Sequence, residues 1–199
     1  MRSKATAPGA MMLAMALGAS RRFTVGAYHR MAEVGILGED ERVELIDGAI
    51  VEMTPIGSRH AGCVRWLAHR FTSSLGDRAI VSVRNPIQLS ELSEPQPDLA
   101  LLRPRPDFYR ESHPAPPDLL LVVEVIDSSM AYDRAKLSLY AASGIVEVWL
   151  VDLPRGTVER YRRPSATGYE ETTSFTGPDQ FGPAAFPDLL TSARAVMGD

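Results

Sequence analysis

The spacing of hydrophobic residues changes along the chain between a helical period and a strand period, and these changes predict the elements of the fold. Apolar positions three and four residues apart predict helices over residues 24–34, 58–75, 128–143 and 186–197. Short apolar or alternating runs predict strands over residues 80–83, 86–89, 98–102, 119–126 and 146–151. We expect Thr24 to cap the N-terminus of the first helix, and Ser128 or Ser129 to cap that of the third. Gly144 is expected to end the third helix.

Turn-forming residues divide the chain between these elements. Asp47-Gly48 separates two apolar runs between Val43 and Met53, which is the strongest short-range signal for a hairpin. Residues 157–162 and 170–175 predict a second, outer hairpin, and five prolines in residues 103–118 predict a loop. Because the strands come in groups before and after one long helix, the order predicts an α/β fold with a mixed sheet.

Length and composition fit one globular domain with a full core, at 199 residues, 45% hydrophobic and 23% charged. We expect a flexible extension over residues 1–21 and a single domain over residues 22–199. A basic start and a short apolar run at residues 10–19 give the extension a loose resemblance to a signal peptide, with a disordered extension as the alternative. No apolar run reaches the ~18 residues of a membrane span, so no membrane partner is expected.

Charge and cysteine content narrow the class of protein. The single cysteine, Cys63, excludes an intramolecular disulfide and agrees with a cytoplasmic location. With no Cys/His cluster at zinc-ligand spacing, the sequence predicts no structural zinc site. The formal net charge of −4 argues against a protein that coats nucleic acid by charge alone. A protein that binds phosphate at one local site remains compatible with this charge, because a local basic patch or a bound divalent cation can reverse the sign there.

Glu124 is the most informative residue, because it lies among otherwise aliphatic positions of the predicted strand 119–126. An ionised carboxylate in such a strand is costly unless it is paired, protonated or bound to a metal. A position at the sheet edge, or an ion pair with Arg or Lys, would also explain the acid at this position.

Asp98 follows Pro97 at the head of another strand, where a turn aspartate is common. Two acids on adjacent strands, however, form the oxygen-rich site typical of Mg²⁺, to which the carbonyl of Val125 could add a ligand.

Two further residues, Lys136 and Glu44, are candidates for the same site. Lys136 lies on the predicted helix after the Glu124 strand, and it either pairs with Asp133 in solvent or turns back to stabilise charge at a phosphate. Glu44 lies opposite Val51 in the predicted hairpin, either as an edge glutamate or as an acid that assists at the site.

The remaining polar and aromatic residues give a weaker signal. His60 opens the second helix and serves either as a capping or packing residue or as a contact for substrate. His29, His69 and His113 have no site-like context, and Trp66 and Trp149 are expected in the core.

A set of short motifs recurs here in the order and spacing of a known bacterial family. The motifs are Val43-Glu-Leu-Ile-Asp-Gly48, His60, Gln96-Pro-Asp98, Val122-Val-Glu-Val125, Asp133-x-x-Lys136, Tyr140 and Glu147-Val-Trp-Leu-Val-Asp152. Over residues 22–195 the chain thereby resembles the Uma-two family, which is classed with restriction endonucleases in the PD-(D/E)XK nuclease superfamily.

The resemblance implies a restriction-endonuclease-like core, a mixed β-sheet flanked by helices with acids converging at one edge. Asp98 then matches the aspartate of the "PD" element, Glu124 the second acid and Glu44 the early glutamate of the family. The superfamily lysine normally lies two residues after the second acid, where this chain has Ile126. In related proteins the lysine comes from the next helix, which Lys136 matches.

Together these observations predict a metal-dependent endodeoxyribonuclease that hydrolyses phosphodiester bonds with Mg²⁺, or with Mn²⁺ in its place. Its metal ligands would be Asp98, Glu124 and Val125, with Glu44 and Lys136 as further catalytic residues and His60 at the substrate. DNA is the expected partner, and a homodimer or higher homo-oligomer is expected because two sites cut two strands most easily. The alternatives are an inert nuclease-fold module that binds nucleic acid or protein, and a metal-dependent hydrolase of another phosphate ester.

Overall fold

The computed structural model describes residues 21–38, 40–127 and 130–198, without the side chains of residues 130–134. Three subjects of the predictions lie outside this part: the N-terminal extension apart from Arg21, the cap residues Ser128 and Ser129, and the side chain of Asp133. The described residues form the α-helices α1 (Val25–Glu33), α2 (Ser58–Leu75), α3 (Met130–Ala142) and α4 (Ala193–Met197). Their strands are β1 (Val43–Ile46), β2 (Ala49–Glu52), β3 (Ile80–Val83), β4 (Leu99–Leu102), β5 (Leu119–Ile126), β6 (Glu147–Asp152), β7 (Thr157–Ser165), β8 (Gly168–Thr176), β9 (Gln180–Phe181) and β10 (Thr191–Ser192).

A six-stranded mixed sheet forms the centre of the molecule, in the order β3-β4-β5-β6-β7-β8. Strands β5 and β6 are parallel, and α3 connects them, whereas every other neighbouring pair of this sheet is antiparallel. A parallel pair needs such a crossover, whereas an antiparallel pair does not. The β6–β7 and β7–β8 connections are short, while longer loops join β3 to β4 and β4 to β5. The predicted mixed sheet flanked by helices is therefore confirmed.

Helices cover both faces of this sheet and divide the core into two clusters. On one face α2 and α4 pack against alternate residues of β4, β5 and β6, including Leu99, Leu121 and Trp149. On the other face Tyr140 of α3 packs with Ala100 and Val122. Because β5 is buried on both faces, its sequence is a continuous apolar run interrupted only by Glu124.

The hairpin β1–β2 lies outside the central sheet and brings Glu44 to it. Asp47 and Gly48 both have positive φ, +50° and +79°, as a two-residue hairpin turn requires. A hydrogen bond from the Gly48 N–H to the Leu92 carbonyl (2.7 Å) holds the turn in place. Glu44 pairs with Val51, as predicted from the turn.

Two predicted elements are wrong. Residues 86–89 do not form a strand, because the N–H groups of Ile87 and Leu89 donate to the carbonyls of Pro95 and Ser93 within a folded loop. Residues 186–190 are not helical either. There the N–H groups of Phe186 and Leu189 close successive four-residue turns, and both side chains lie in the core. Only Ala193–Met197 is helical.

The remaining predicted elements are present, with the outer hairpin longer than expected. It runs from Thr157 to Thr176 as β7 and β8, and its turn is closed by the pair Ser165 and Gly168. Within the described ranges, none of the helices is long and apolar enough to cross a bilayer.

Candidate functional site

A polar pocket opens where β1, the start of β4 and the end of β5 converge. Its acidic lining consists of Glu44, Asp98, Glu124 and Asp127, and its cationic lining includes Arg42, Arg84 and Lys136. Its cavity volume of about 70 Å³ is enough for a few water molecules or a partly hydrated ion. The acids predicted from separate stretches of sequence therefore share one pocket.

Asp98 lies just before β4, and the register of β4 on β5 brings it beside Glu124. Its Oδ1 accepts from Arg84 (2.9 Å), and its Oδ2 accepts from the Val125 N–H (2.9 Å) and pairs with His60 Nε2 (3.0 Å). Burial raises the pKa of Asp98, but the hydrogen bonds and charge of these neighbours outweigh burial and lower it overall. The Asp98 side chain is therefore held ionised.

Glu124 projects from β5 towards α3 and is 3% exposed. Its Oε1 accepts from Tyr140 Oη (2.5 Å) and lies 2.7 Å from Lys136 Nζ, and its Oε2 faces the Asp98 N–H at 3.4 Å. Burial raises the pKa of Glu124 to about 7, against the charge of Lys136, which lowers it, while Asp98 raises it further. The Glu124 carboxyl group thus changes charge near neutral pH.

Lys136 lies between two acids. Its Nζ is 2.7 Å from Glu124 Oε1 and 3.4 Å from Glu44 Oε2, and its side chain is 3% exposed. Lys136 and Tyr140 are four residues apart on α3, so both reach Glu124 from one helix face. The structure thus places Lys136 at the strand end, and the predicted alternative of a solvated surface lysine is wrong. The sequence has one other lysine, Lys4.

The hairpin holds Glu44 against the start of β4. Glu44 is 1% exposed, and its Oε2 also accepts from the Gln96 N–H (2.8 Å). Gln96 Nε2 in turn donates to the Val43 carbonyl (3.2 Å). Two side-chain contacts therefore link β1 to the segment that ends at Asp98, and this linkage brings Glu44 into the pocket.

His60 and Val125 also lie where the sequence predicts, and both contact Asp98. His60 lies on the first turn of α2 and is 9% exposed. Its Nε2 pairs with Asp98 Oδ2. Val125 lines the pocket and donates its N–H to Asp98, whereas the proposed role of its carbonyl as a ligand stays a prediction.

Arg84 and Asp127 also line the pocket, although neither is predicted from the sequence. Arg84 follows β3 with a positive φ of +56°, and no pattern around it indicates that its guanidinium turns back to Asp98. Asp127 directly follows the β5 run that contains Glu124, and this position at a strand end was the available signal. Gly57 lies against it, since a Cβ there would be 2.9 Å from Asp127 Oδ2.

The donor set fits a hard divalent cation. A carboxylate offers about four lone-pair sites, and among the described residues three donors reach Asp98 and three reach Glu124. Each acid therefore retains room for one more ligand bond, which is the kind of partial protein coordination that Mg²⁺ accepts alongside water.

Comparison with known proteins places this geometry in a family. The model of the Uma2 family, described as "Putative restriction endonuclease", matches residues 25–195. The chain belongs to the Uma2 family. The resemblance read from the short motifs is thereby confirmed over nearly the whole described chain.

Solved structures agree with the Uma2 fold. A chain from Anabaena variabilis ATCC 29413, titled a "putative nuclease belonging to DUF820", superposes with a TM-score of 0.69 at 18% sequence identity. The match covers 88% of this chain and 98% of that one. At this identity the likeness establishes the restriction-endonuclease-like fold alone. The search of curated proteins finds no match.

Proposed function

We propose that this protein is a Mg²⁺-dependent endonuclease that hydrolyses phosphodiester bonds in DNA. The proposal rests chiefly on one observation, the buried contact of Lys136 with both Glu124 and Glu44 beside Asp98. A lysine between two acids at a strand end, next to a third acid, suits phosphoryl chemistry because it combines metal ligands with a cation for the phosphate. The family description adds independent support.

Asp98, Glu124 and the carbonyl of Val125 are the proposed ligands of the metal ion. When bound, Mg²⁺ or Mn²⁺ would supply positive charge for the phosphate and acidify the attacking water. Arg84, His60 and the Val125 N–H orient the Asp98 carboxylate before the cation arrives. Tyr140 does the same for Glu124 from within α3.

Lys136 and Glu44 are the proposed catalytic partners of the two metal-binding acids. The Lys136 ammonium group can donate to a phosphate oxygen or to a water while Glu44 fixes its position. Because the pKa of Glu124 is about 7, a nearby positive charge shifts this acid to its ionised form at neutral pH. His60 lies at the pocket wall, where it supports Asp98 and contacts bound substrate.

A cleavage assay tests this proposal and identifies the substrate. Supercoiled plasmid, single-stranded DNA and RNA are incubated with Mg²⁺ or Mn²⁺ and with wild type, Glu124→Gln or the exposed control Glu171→Gln. We expect wild type and Glu171→Gln to cleave DNA, and Glu124→Gln to lose at least about a hundredfold in rate. Cleavage by Glu124→Gln at the wild-type rate would assign the activity elsewhere.

One observation favours a second candidate, an inert module that binds nucleic acid. Arg84 and His60 already pair with Asp98, so the site neutralises itself without a metal ion. In that case wild type and Asp98→Asn bind a labelled duplex equally, with or without Mg²⁺, and neither cuts it. Fluorescence anisotropy on the same duplex distinguishes this from the nuclease, whose binding depends on the cation.

We also propose that the protein acts in the cytoplasm as a homodimer or higher homo-oligomer. Two copies related by a two-fold axis would present one pocket to each strand of a duplex. Light scattering measures the mass directly, and a monomer that still makes double-strand breaks would contradict this arrangement.

A further inference from the structure

Two histidines and a glutamate from three separate segments meet outside the acidic pocket. His29 lies on α1, Glu94 in the loop before β4, and His113 in the proline-rich loop after β4. Their ligand atoms all lie within 4.8 Å of one another. His29 Nε2 is 2.7 Å from Glu94 Oε1, and the two imidazole rings are 6.1 Å apart.

Glu94 has a buried oxygen that its neighbours do not satisfy. The residue is 2% exposed, and its backbone N–H donates to the Leu45 carbonyl (2.8 Å). Its Oε1 pairs with His29, whereas its Oε2 is buried with no hydrogen-bond partner among the described residues. A buried carboxylate oxygen without a partner is destabilising, and a cation at this position would compensate for it.

We propose that His29, Glu94 and His113 form a second metal site that binds Zn²⁺ or a transition-metal ion of similar preference. Two imidazoles and one carboxylate form a common zinc ligand set that leaves a position for water. Mg²⁺ prefers oxygen ligands alone, so the two sites select different ions. The short-range spacing rules applied to the sequence do not find this site, because its ligands are distant in sequence and include no cysteine.

The three segments are held near the required geometry. Pro114, next to His113, accepts a hydrogen bond from the Gln88 N–H (2.9 Å), and Thr24 caps the helix that contains His29. Tetrahedral zinc ligands at about 2.1 Å from the ion are separated by about 3.4 Å. Small side-chain rotations would therefore bring the present 4.8 Å spread onto one ion, and His29 is free to make them because its side chain is 43% exposed.

The position of this site suggests what the ion does. Glu94 pairs with Leu45, the neighbour of Glu44, so an ion there would tie α1 and the proline-rich loop to β1. Ligand binding to the folded state alone raises stability by mass action. An ion bound there would therefore fix the hairpin beside the acidic pocket, and its binding does not depend on cleavage activity.

Zinc titration of metal-free protein tests the proposal without any activity measurement. Wild type, His29→Ala, His113→Ala and Glu94→Gln are compared by calorimetry and by thermal unfolding with and without Zn²⁺. His69→Ala is the matched control, because His69 is exposed on α2 and lies outside the cluster. Asp98→Asn is included to show whether the zinc ion binds in the acidic pocket instead.

We expect one equivalent of Zn²⁺ to bind wild type, His69→Ala and Asp98→Asn with the same affinity and to raise their melting temperatures. Affinity should fall at least about tenfold in His29→Ala, His113→Ala and Glu94→Gln. Equal affinity in wild type and the two histidine variants would overturn the proposal. Loss of zinc binding in Asp98→Asn alone would do so as well, since the ion would then belong to the acidic pocket.

Discussion

At the scale of single residues, the charge balance of the pocket depends on Lys136. It is the only described lysine, although arginines are frequent in the chain, and it is buried between Glu124 and Glu44. An ammonium group is compact and movable, whereas a guanidinium is planar and fixed in its bonding geometry. Glu124 could be predicted from the sequence because a charge in an apolar strand is costly. Arg84 could not, since no sequence pattern records where a long side chain turns.

Replacing Lys136 by Met should destabilise the protein strongly. Removing one partner of a buried ion pair costs about 3–5 kcal/mol because the other charge remains buried. Urea unfolding at pH 8 measures the loss, and Arg65→Met on the exposed side of α2 should change stability by less than about 0.5 kcal/mol. The double variant Lys136→Met/Glu124→Gln should recover part of the loss, so a double variant less stable than Lys136→Met would contradict the pairing.

The raised pKa of Glu124 predicts how stability depends on pH. Its value of about 7 in the folded state exceeds the ordinary 4.5, so the folded state binds a proton that the unfolded state has released between these values. Wild type should therefore lose stability relative to Glu124→Gln as pH rises from 5 to 7, by at most about 1.4 kcal/mol per unit, and then level off. Unfolding curves across this range test it, with Glu171→Gln as the control. A difference between wild type and Glu124→Gln that stays constant or grows would be inconsistent with the shift.

At the scale of elements, prediction from sequence succeeded where local and tertiary preferences agree. Helix α2 spans residues 58–75 and β5 spans 119–126, both as predicted. The sequence of α2 has a helical period, that of β5 is a continuous apolar run, and turn or loop residues flank both elements. It failed at Ile87 and Leu89, whose apolar side chains are buried although their backbone forms a loop closed by Pro95. Burial can be predicted from such residues, but the partner of each N–H group depends on distant parts of the chain.

The hairpin that positions Glu44 depends on its turn glycine. Gly48 has φ of +79°, and a Cβ there would lie 2.5 Å from Arg22 Cβ and 3.0 Å from Arg22 Cα. Gly48→Ala should therefore destabilise the protein by about 1–2 kcal/mol. Gly62→Ala is the matched control, since a Cβ at this helical position meets nothing within 4 Å and should stabilise by about 0.5–1 kcal/mol. Thermal unfolding that ranks Gly48→Ala at or above Gly62→Ala would refute this account of the turn.

In the whole molecule, the sheet brings together acids that are distant in sequence. The pocket receives Glu44 from β1, Asp98 from the position just before β4, and Glu124 from β5, and α3 adds Lys136. The fold class was predictable because the order of elements implies a mixed sheet. The mutual distances of the side chains were not, because they depend on register and on the packing of α3.

Because the protein is acidic, we expect its affinity for DNA to depend on a bound divalent metal ion. With a formal net charge of −4, general electrostatic attraction to phosphate is weak. We expect affinity for a short duplex to rise at least about tenfold when Ca²⁺, used as a slow substitute for Mg²⁺, is added to wild type. Asp98→Asn should show no such rise in anisotropy measurements. Equal affinity with and without the cation would place DNA on another surface.

The rate of plasmid cleavage as a function of Mg²⁺ concentration decides whether Asp98 holds a catalytic metal ion. It is measured for wild type, Asp98→Asn and the exposed control Asp77→Asn. We expect a saturable dependence on Mg²⁺ in wild type and Asp77→Asn, and we expect EDTA to abolish cleavage by both. In Asp98→Asn the rate should fall at least about a hundredfold at every concentration. Cleavage by Asp98→Asn at the wild-type rate, or cleavage by wild type that persists in EDTA, would contradict it.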